Sequence, residues 1–88
     1  MTDNPQPVLD RETIQDALSR AIAVELESEG PPDPDAAFAD LGLDSVAGLR
    51  AANTAGAEIG LKIPVVLLFD YPSISELAKH LSVLSRAA

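Results

Sequence analysis

The 88-residue sequence predicts an all-α fold, a small bundle of three main helices plus one short helix, and three observations carry that expectation. Two long segments place apolar residues at i, i+3 and i+4, the spacing of one helix face. Residues that cap helix N-termini stand in front of three of the segments. The single β-branched run has no second strand elsewhere in the chain to pair with, and a lone strand is not stable in water.

The first helix is expected from about Asp10 to Glu29. Ile14, Ala17, Leu18, Ala21, Ile22 and Leu26 form its apolar face, and Asp10 is its N-cap. Gly30-Pro31-Pro32 ends it, because proline can neither donate the next backbone hydrogen bond nor fit a helix interior. A loop follows over residues 30–44. Asp33-Pro34-Asp35 is turn chemistry, and Phe38 and Leu41 are expected to pin the loop to the core.

Asp44-Ser45 opens the second helix, with the Asp44 carboxylate able to accept from first-turn N–H groups. Val46, Leu49, Asn53, Gly56 and Ile59 trace its inward face, and Gly60 stops it. Ile63-Pro64-Val65-Val66-Leu67-Leu68-Phe69 reads as a short buried helix with Pro64 in its first turn. Asp70-Tyr71-Pro72 breaks that helix. The last one starts at Ser73, which with Glu76 has capping-box spacing, and carries the stripe Ile74, Leu77, Ala78, Leu81 and Leu84.

Composition narrows function by exclusion. A domain this small buries only about 60% of its unfolded surface, which leaves little room for a deep catalytic cleft. The chain lacks cysteine, so disulfides, thiolate metal sites and catalytic thiols are out, in keeping with a reducing, cytoplasmic setting. No apolar run approaches the roughly 20 residues that span a membrane. The net charge of −8 opposes nucleic-acid binding, which needs a basic face. That charge is concentrated: residues 1–40 hold ten acids against two bases, while residues 41–88 hold four of each. Such a surface suits basic protein partners, and serves solubility equally well.

Candidate chemistry is sparse. His80 is the one histidine, about 35 residues past Ser45, and no Gly-x-Ser-x-Gly elbow is present, so a serine hydrolase is not indicated; His80 is expected on the solvated surface. Asp33-Pro34-Asp35 opens like a calcium loop, but Phe38 stands at the sixth position where glycine is required. Glu25, Glu27 and Glu29 spread around a helix and are expected to face water.

What remains is Leu41-Gly42-Leu43-Asp44-Ser45-Val46 at a loop-to-helix junction. It sets a serine hydroxyl in the first turn of a helix, beside an acidic cap, where the partial positive charge of the N-terminus favours a phosphodiester. An isolated Asp-Ser pair can equally be no more than a cap. The wider pattern, however, closely resembles the attachment motif of acyl carrier proteins, Leu-Gly-x-Asp-Ser-Leu, with Phe38 at the position of that family's loop anchor. Leu61-Lys62-Ile63-Pro64, Leu68-Phe69-Asp70-Tyr71-Pro72-Ser73 and Ser73-Ile74-Ser75-Glu76-Leu77-Ala78-Lys79-His80-Leu81 resemble carrier domains of modular polyketide synthases.

The resemblance implies the four-helix acyl-carrier bundle over residues 10–84, with a flexible leader at 1–9 and a tail at 85–88. It implies a non-enzymatic shuttle in which Ser45 carries covalent 4′-phosphopantetheine and the arm's thiol holds acyl intermediates. Implied partners are a phosphopantetheinyl transferase, a loading acyltransferase or ligase, and a ketosynthase or other polyketide synthase enzymes, the carrier itself being a monomer. Asp44, Val46 and Arg50 are the candidate partner-recognition residues. A short leader after Met1 suits a free-standing carrier, and an excised domain would look similar.

The second helix departs from the family pattern. Arg50 and Ala51 stand where an acid and a large apolar residue are common, and Ala55 where leucine is. Arg50 either selects a partner with a complementary acid or is a neutral change on an exposed face. Ala52, Ala55 and Gly56 are expected to leave room for a bound chain between the helices. Two other readings are a peptidyl carrier, which uses the same arm, and a helical adaptor that never receives it.

Overall fold

The computed structural model describes residues 9–87, in four helices: α1 (Arg11–Leu26), α2 (Ser45–Ile59), α3 (Leu67–Asp70) and α4 (Ile74–Ala87). Among the described residues the sole β-type pairing is an isolated bridge between Ala37 and Ser73. The all-α expectation therefore stands. Most of the expected leader lies outside the described residues. Residues 85–87, expected in the tail, instead continue α4, and the Ser85 hydroxyl donates to the Leu9 carbonyl.

Large side chains from α1 and α4 make the centre of the core. Ile14, Leu18 and Ile22 meet Ile74, Leu77 and Leu81, all essentially without solvent contact. Leu84, expected on the same stripe, is exposed because α4 there has passed the end of the core. Asp10 caps α1, its carboxylate accepting from the Thr13 N–H at 2.8 Å. The Ser73 hydroxyl likewise accepts from the Glu76 N–H at 3.2 Å.

α1 ends at Leu26, three residues before Glu29 and ahead of the Gly-Pro-Pro stop. Glu27 turns left-handed (φ 55°), its N–H bonding the Val24 carbonyl and that of Ser28 the Ala23 carbonyl. That is the closing pattern of a Schellman motif, here built on a residue other than glycine.

The inward face of α2 differs from the expected one. Val46, Leu49 and Asn53 point outward, Gly56 is buried and Ile59 half-buried as expected, and Ala47, Gly48, Ala51, Ala52 and Ala55 supply the rest of the buried face. Small residues allow α2 to lie close against its neighbours. A methyl group on Gly56 would sit 2.4 Å from the Leu61 carbonyl oxygen, so only glycine fits without backbone movement. Of the room expected beside Ala52, Ala55 and Gly56, an open hollow of about 320 Å³ remains at the surface, bounded by Ala52, Gly56, Leu61 and Ile63, while Ala55 is packed in the core.

The long loop is stitched to the start of α4. The Phe38 N–H donates to the Pro72 carbonyl at 2.7 Å and the Ser75 N–H to the Pro34 carbonyl at 2.9 Å. Phe38 is buried as expected, while Leu41 is half-buried against the core. The short helix winds from Pro64, whose carbonyl accepts from Leu67, but it is not buried as a unit. Leu68 alone points fully inward, and Val66 and Phe69 face solvent.

Candidate functional site at the start of helix α2

The loop delivers Ser45 to the surface through a short run of local geometry. The Phe38 carbonyl accepts from both Leu41 and Leu43, closing the turn. Gly42 adopts φ 88°, a conformation that side chains resist. The chain then buries Leu43 and leaves Asp44 extended as the N-cap of α2. Asp44 Oδ1 accepts from the Ala47 N–H at 2.8 Å, and the Asp44 carbonyl from the Gly48 N–H at 2.8 Å. Ser45 is consequently the first residue of α2 and is exposed.

Ser45 also borders a cavity of about 190 Å³ lined by Phe38, Leu43, Gly48, Leu68 and Phe69. Gly48 forms part of its wall because a methyl group there would come within 3.1 Å of the end of Leu68. The surroundings fit a group attached at Ser45: an accessible hydroxyl, a helix N-terminus directed at it, and apolar space alongside.

Of the other sequence-derived residues, Val46 is 59% exposed next to Ser45. Arg50 lies one turn beyond Val46, and its guanidinium is engaged within the chain. Its Nε donates to Glu25 Oε1 at 2.9 Å, and its Nη2 lies 2.8 Å from the same oxygen. The Glu25 hydrogen bond and charge hold the Arg50 pKa above the ordinary arginine value, with Asp44 adding a smaller effect. Glu25 was expected to face water; its side chain is only 15% exposed because it runs across to α2. The second charge on α2, Glu58, pairs with Arg20 of α1.

His80 does not join Ser45. Its ring stacks on Tyr71 with centroids 4.0 Å apart, in a hollow with Asp70, Glu76 and Lys79 on another part of the surface. It is half-buried, where the sequence suggested full solvation. Among the described residues, no group of three or more histidine or acidic side chains is placed to hold a metal. No helix among them is long and apolar enough to cross a membrane.

Sequence reasoning missed Leu49, Val66 and Phe69 as surface residues. The signal was present in Ala47, Ala51 and Ala55, whose four-residue spacing marks an alanine face that turns the larger side chains outward.

An exposed serine capped into a helix start, beside an apolar cavity in a four-helix bundle, defines a carrier architecture. The chain belongs to the phosphopantetheine attachment site family, whose profile matches residues 12–81. Members of this family carry covalent 4′-phosphopantetheine, and this chain is a carrier protein of that kind.

Its relatives include a phenolphthiocerol/phthiocerol polyketide synthase of Mycobacterium tuberculosis, 38% identical over 68 residues. A component of the pikromycin polyketide synthase of Streptomyces venezuelae is 43% identical over 70 residues. Each match covers 77% of this chain but only 3% and 2% of those synthases. A free-standing peptidyl carrier protein from Acinetobacter baumannii is 32% identical with a TM-score of 0.76, over 84% of this chain and 94% of that one. BlmI, a type-II acyl carrier protein from Streptomyces verticillus involved in bleomycin biosynthesis, shares the fold at 16% identity and a TM-score of 0.76, over 84% of this chain and 88% of that one.

Proposed function

We propose that Ser45 is the attachment point of the phosphopantetheine arm and that the chain carries acyl intermediates in polyketide biosynthesis. The observation behind this reading is the placement of Ser45: exposed, first in α2, and bordering the apolar cavity. A phosphopantetheinyl transferase would join the Ser45 oxygen to the phosphopantetheine of coenzyme A, releasing the adenosine bisphosphate portion. Once attached, the arm supplies a thiol that holds cargo as a thioester.

The chain's own residues position the arm. Asp44 holds the helix start, Gly42 sets the turn, and Val46 and Arg50 lie on the surface that partners meet. Tethering replaces bimolecular encounters with a high local concentration, the physical return on so small a domain. Catalysis belongs to the partners: the transferase, a loading acyltransferase or ligase, and a ketosynthase, acting on a monomeric carrier in the cytoplasm.

The likeness to a peptidyl carrier protein supports a second reading in which the cargo is aminoacyl; the arm and Ser45 serve both.

The test is intact mass after incubation with coenzyme A and a promiscuous transferase, beside a Ser45→Ala control. A gain of one phosphopantetheinyl group, absent from the control, is the expected result. No gain by a folded protein with an active transferase would favour the adaptor reading.

A further inference from the structure

We propose that the stacked rings of Tyr71 and His80 form a latch that holds α3 in place, and that His80 is thereby a positioning residue for the wall of the cavity beside Ser45. The latch is a property of the fold; its bearing on the attachment site rests on the carrier reading.

α3 has little else to hold it. Four residues are far fewer than an isolated helix needs to persist in water. Val66, at its N-cap, supplies no side-chain hydrogen bond. The backbone hydrogen bonds of α3 all close within residues 64–71, from the Leu67 N–H on the Pro64 carbonyl to the Tyr71 N–H on the Leu67 carbonyl. Among the described residues the ion pairs join α1 to α2. There α1 packs on both α2 and α4, while no helix packs broadly on α3. Fastening to the bundle therefore falls to side chains: Leu68, buried from the middle of α3, and Leu67 and Tyr71, half-buried against the core.

Tyr71 has a partner of its own. Its ring lies nearly parallel to that of His80 on α4, at 14° and with centroids 4.0 Å apart. Asp70, Glu76 and Lys79 surround the two rings, yet among the described residues they form no ion pair. Ring contact, rather than charge, joins the end of α3 to α4. Stacked aromatic pairs stabilise beyond the area they bury. What this pair positions is the cavity: Leu68 and Phe69 of α3 line it together with Val65, and Ser45 borders it. The chain just beyond Tyr71 is fixed separately, since the Pro72 carbonyl accepts from the Phe38 N–H at 2.7 Å. If that bond alone sufficed, loss of the His80 ring would leave α3 unchanged.

The test is amide exchange followed by NMR on the unmodified protein. His80→Ala should speed exchange across residues 67–71 about threefold to tenfold, with the core amides of α1 and α4 unchanged. Methyl resonances of Val65 and Leu68, in the cavity wall, should shift in the same samples. His80→Phe keeps a flat ring and should restore both readouts, whereas His80→Gln should not. Tyr71→Leu, which keeps apolar contact with the core, should match His80→Ala. The double variant Tyr71→Leu/His80→Ala should exchange no faster than either single variant. Wild-type exchange in His80→Ala, equal acceleration in α1 and α4, or full additivity in the double variant would overturn the proposal. A protein that shows the latch but is never modified would count against the carrier reading alone.

Discussion

The α1–α4 side of the bundle and its α2–α3 side use apolar residues in opposite ways. On the first, the large side chains Ile14, Leu18, Ile22, Ile74, Leu77 and Leu81 are sealed inside. On the second, alanine and glycine fill most of the inward face of α2, and Val46, Leu49, Val66 and Phe69 stand in solvent around Ser45. Large residues hidden supply transfer free energy. Large residues displayed forgo it, and small residues beneath them let the helix lie close enough to keep the bundle intact. The contrast separates a stabilising half from a presenting half.

The largest effect that would break this contrast is core truncation. Leu77→Ala should cost about 2–5 kcal/mol of unfolding free energy, measured by urea titration. Phe69→Ala should cost well under about 1 kcal/mol in the same assay, because its side chain is largely in water already. Equal losses would erase the distinction. Next comes Gly56→Ala, where the added methyl would meet the Leu61 carbonyl. A loss of about 1–3 kcal/mol is expected, despite alanine's better helix propensity.

A smaller effect of opposite sign is expected at the end of α1. Glu27→Gly removes the cost of a left-handed conformation at a non-glycine residue and should raise stability by about 0.5–1 kcal/mol, read as a higher midpoint.

The smallest effect concerns pH. Hydrogen bonds from Thr13 hold the Asp10 carboxyl below its ordinary value of 3.8, with Arg86 adding a minor attraction. The folded chain then binds fewer protons at this site than the unfolded one. The contribution is full above the ordinary value and is lost as pH falls through the lower folded one. Asp10→Asn should therefore flatten the acid limb of the stability curve slightly, and an unchanged limb would contradict the capping role.

The two sides also differed in how much their sequence disclosed. α1 and α4 were legible because large apolar residues at helical spacing both mark the helix and fill the core. The position of Ser45 at the start of α2 was legible because capping is local chemistry, readable from Asp44 and the residues around it. The first half of α2 was misread: Val46, Leu49 and Asn53 face out, while Gly56 and Ile59 lie inward as expected. Val46 and Leu49 outweigh alanine in any hydrophobic count, yet close packing selected the alanines. The Glu25–Arg50 pair was hidden for another reason: its partners are far apart in sequence and meet only once α1 packs on α2. The cavity beside Ser45 likewise depends on where the loop, α2 and α3 come to rest.

The most direct test of the central claim is to map the phosphopantetheinyl group after transferase treatment, by fragmenting the modified protein in a mass spectrometer. One group per chain, located on Ser45, is the predicted result. A group on another serine, such as Ser73 or Ser75, or no group on a folded chain, would contradict the assignment.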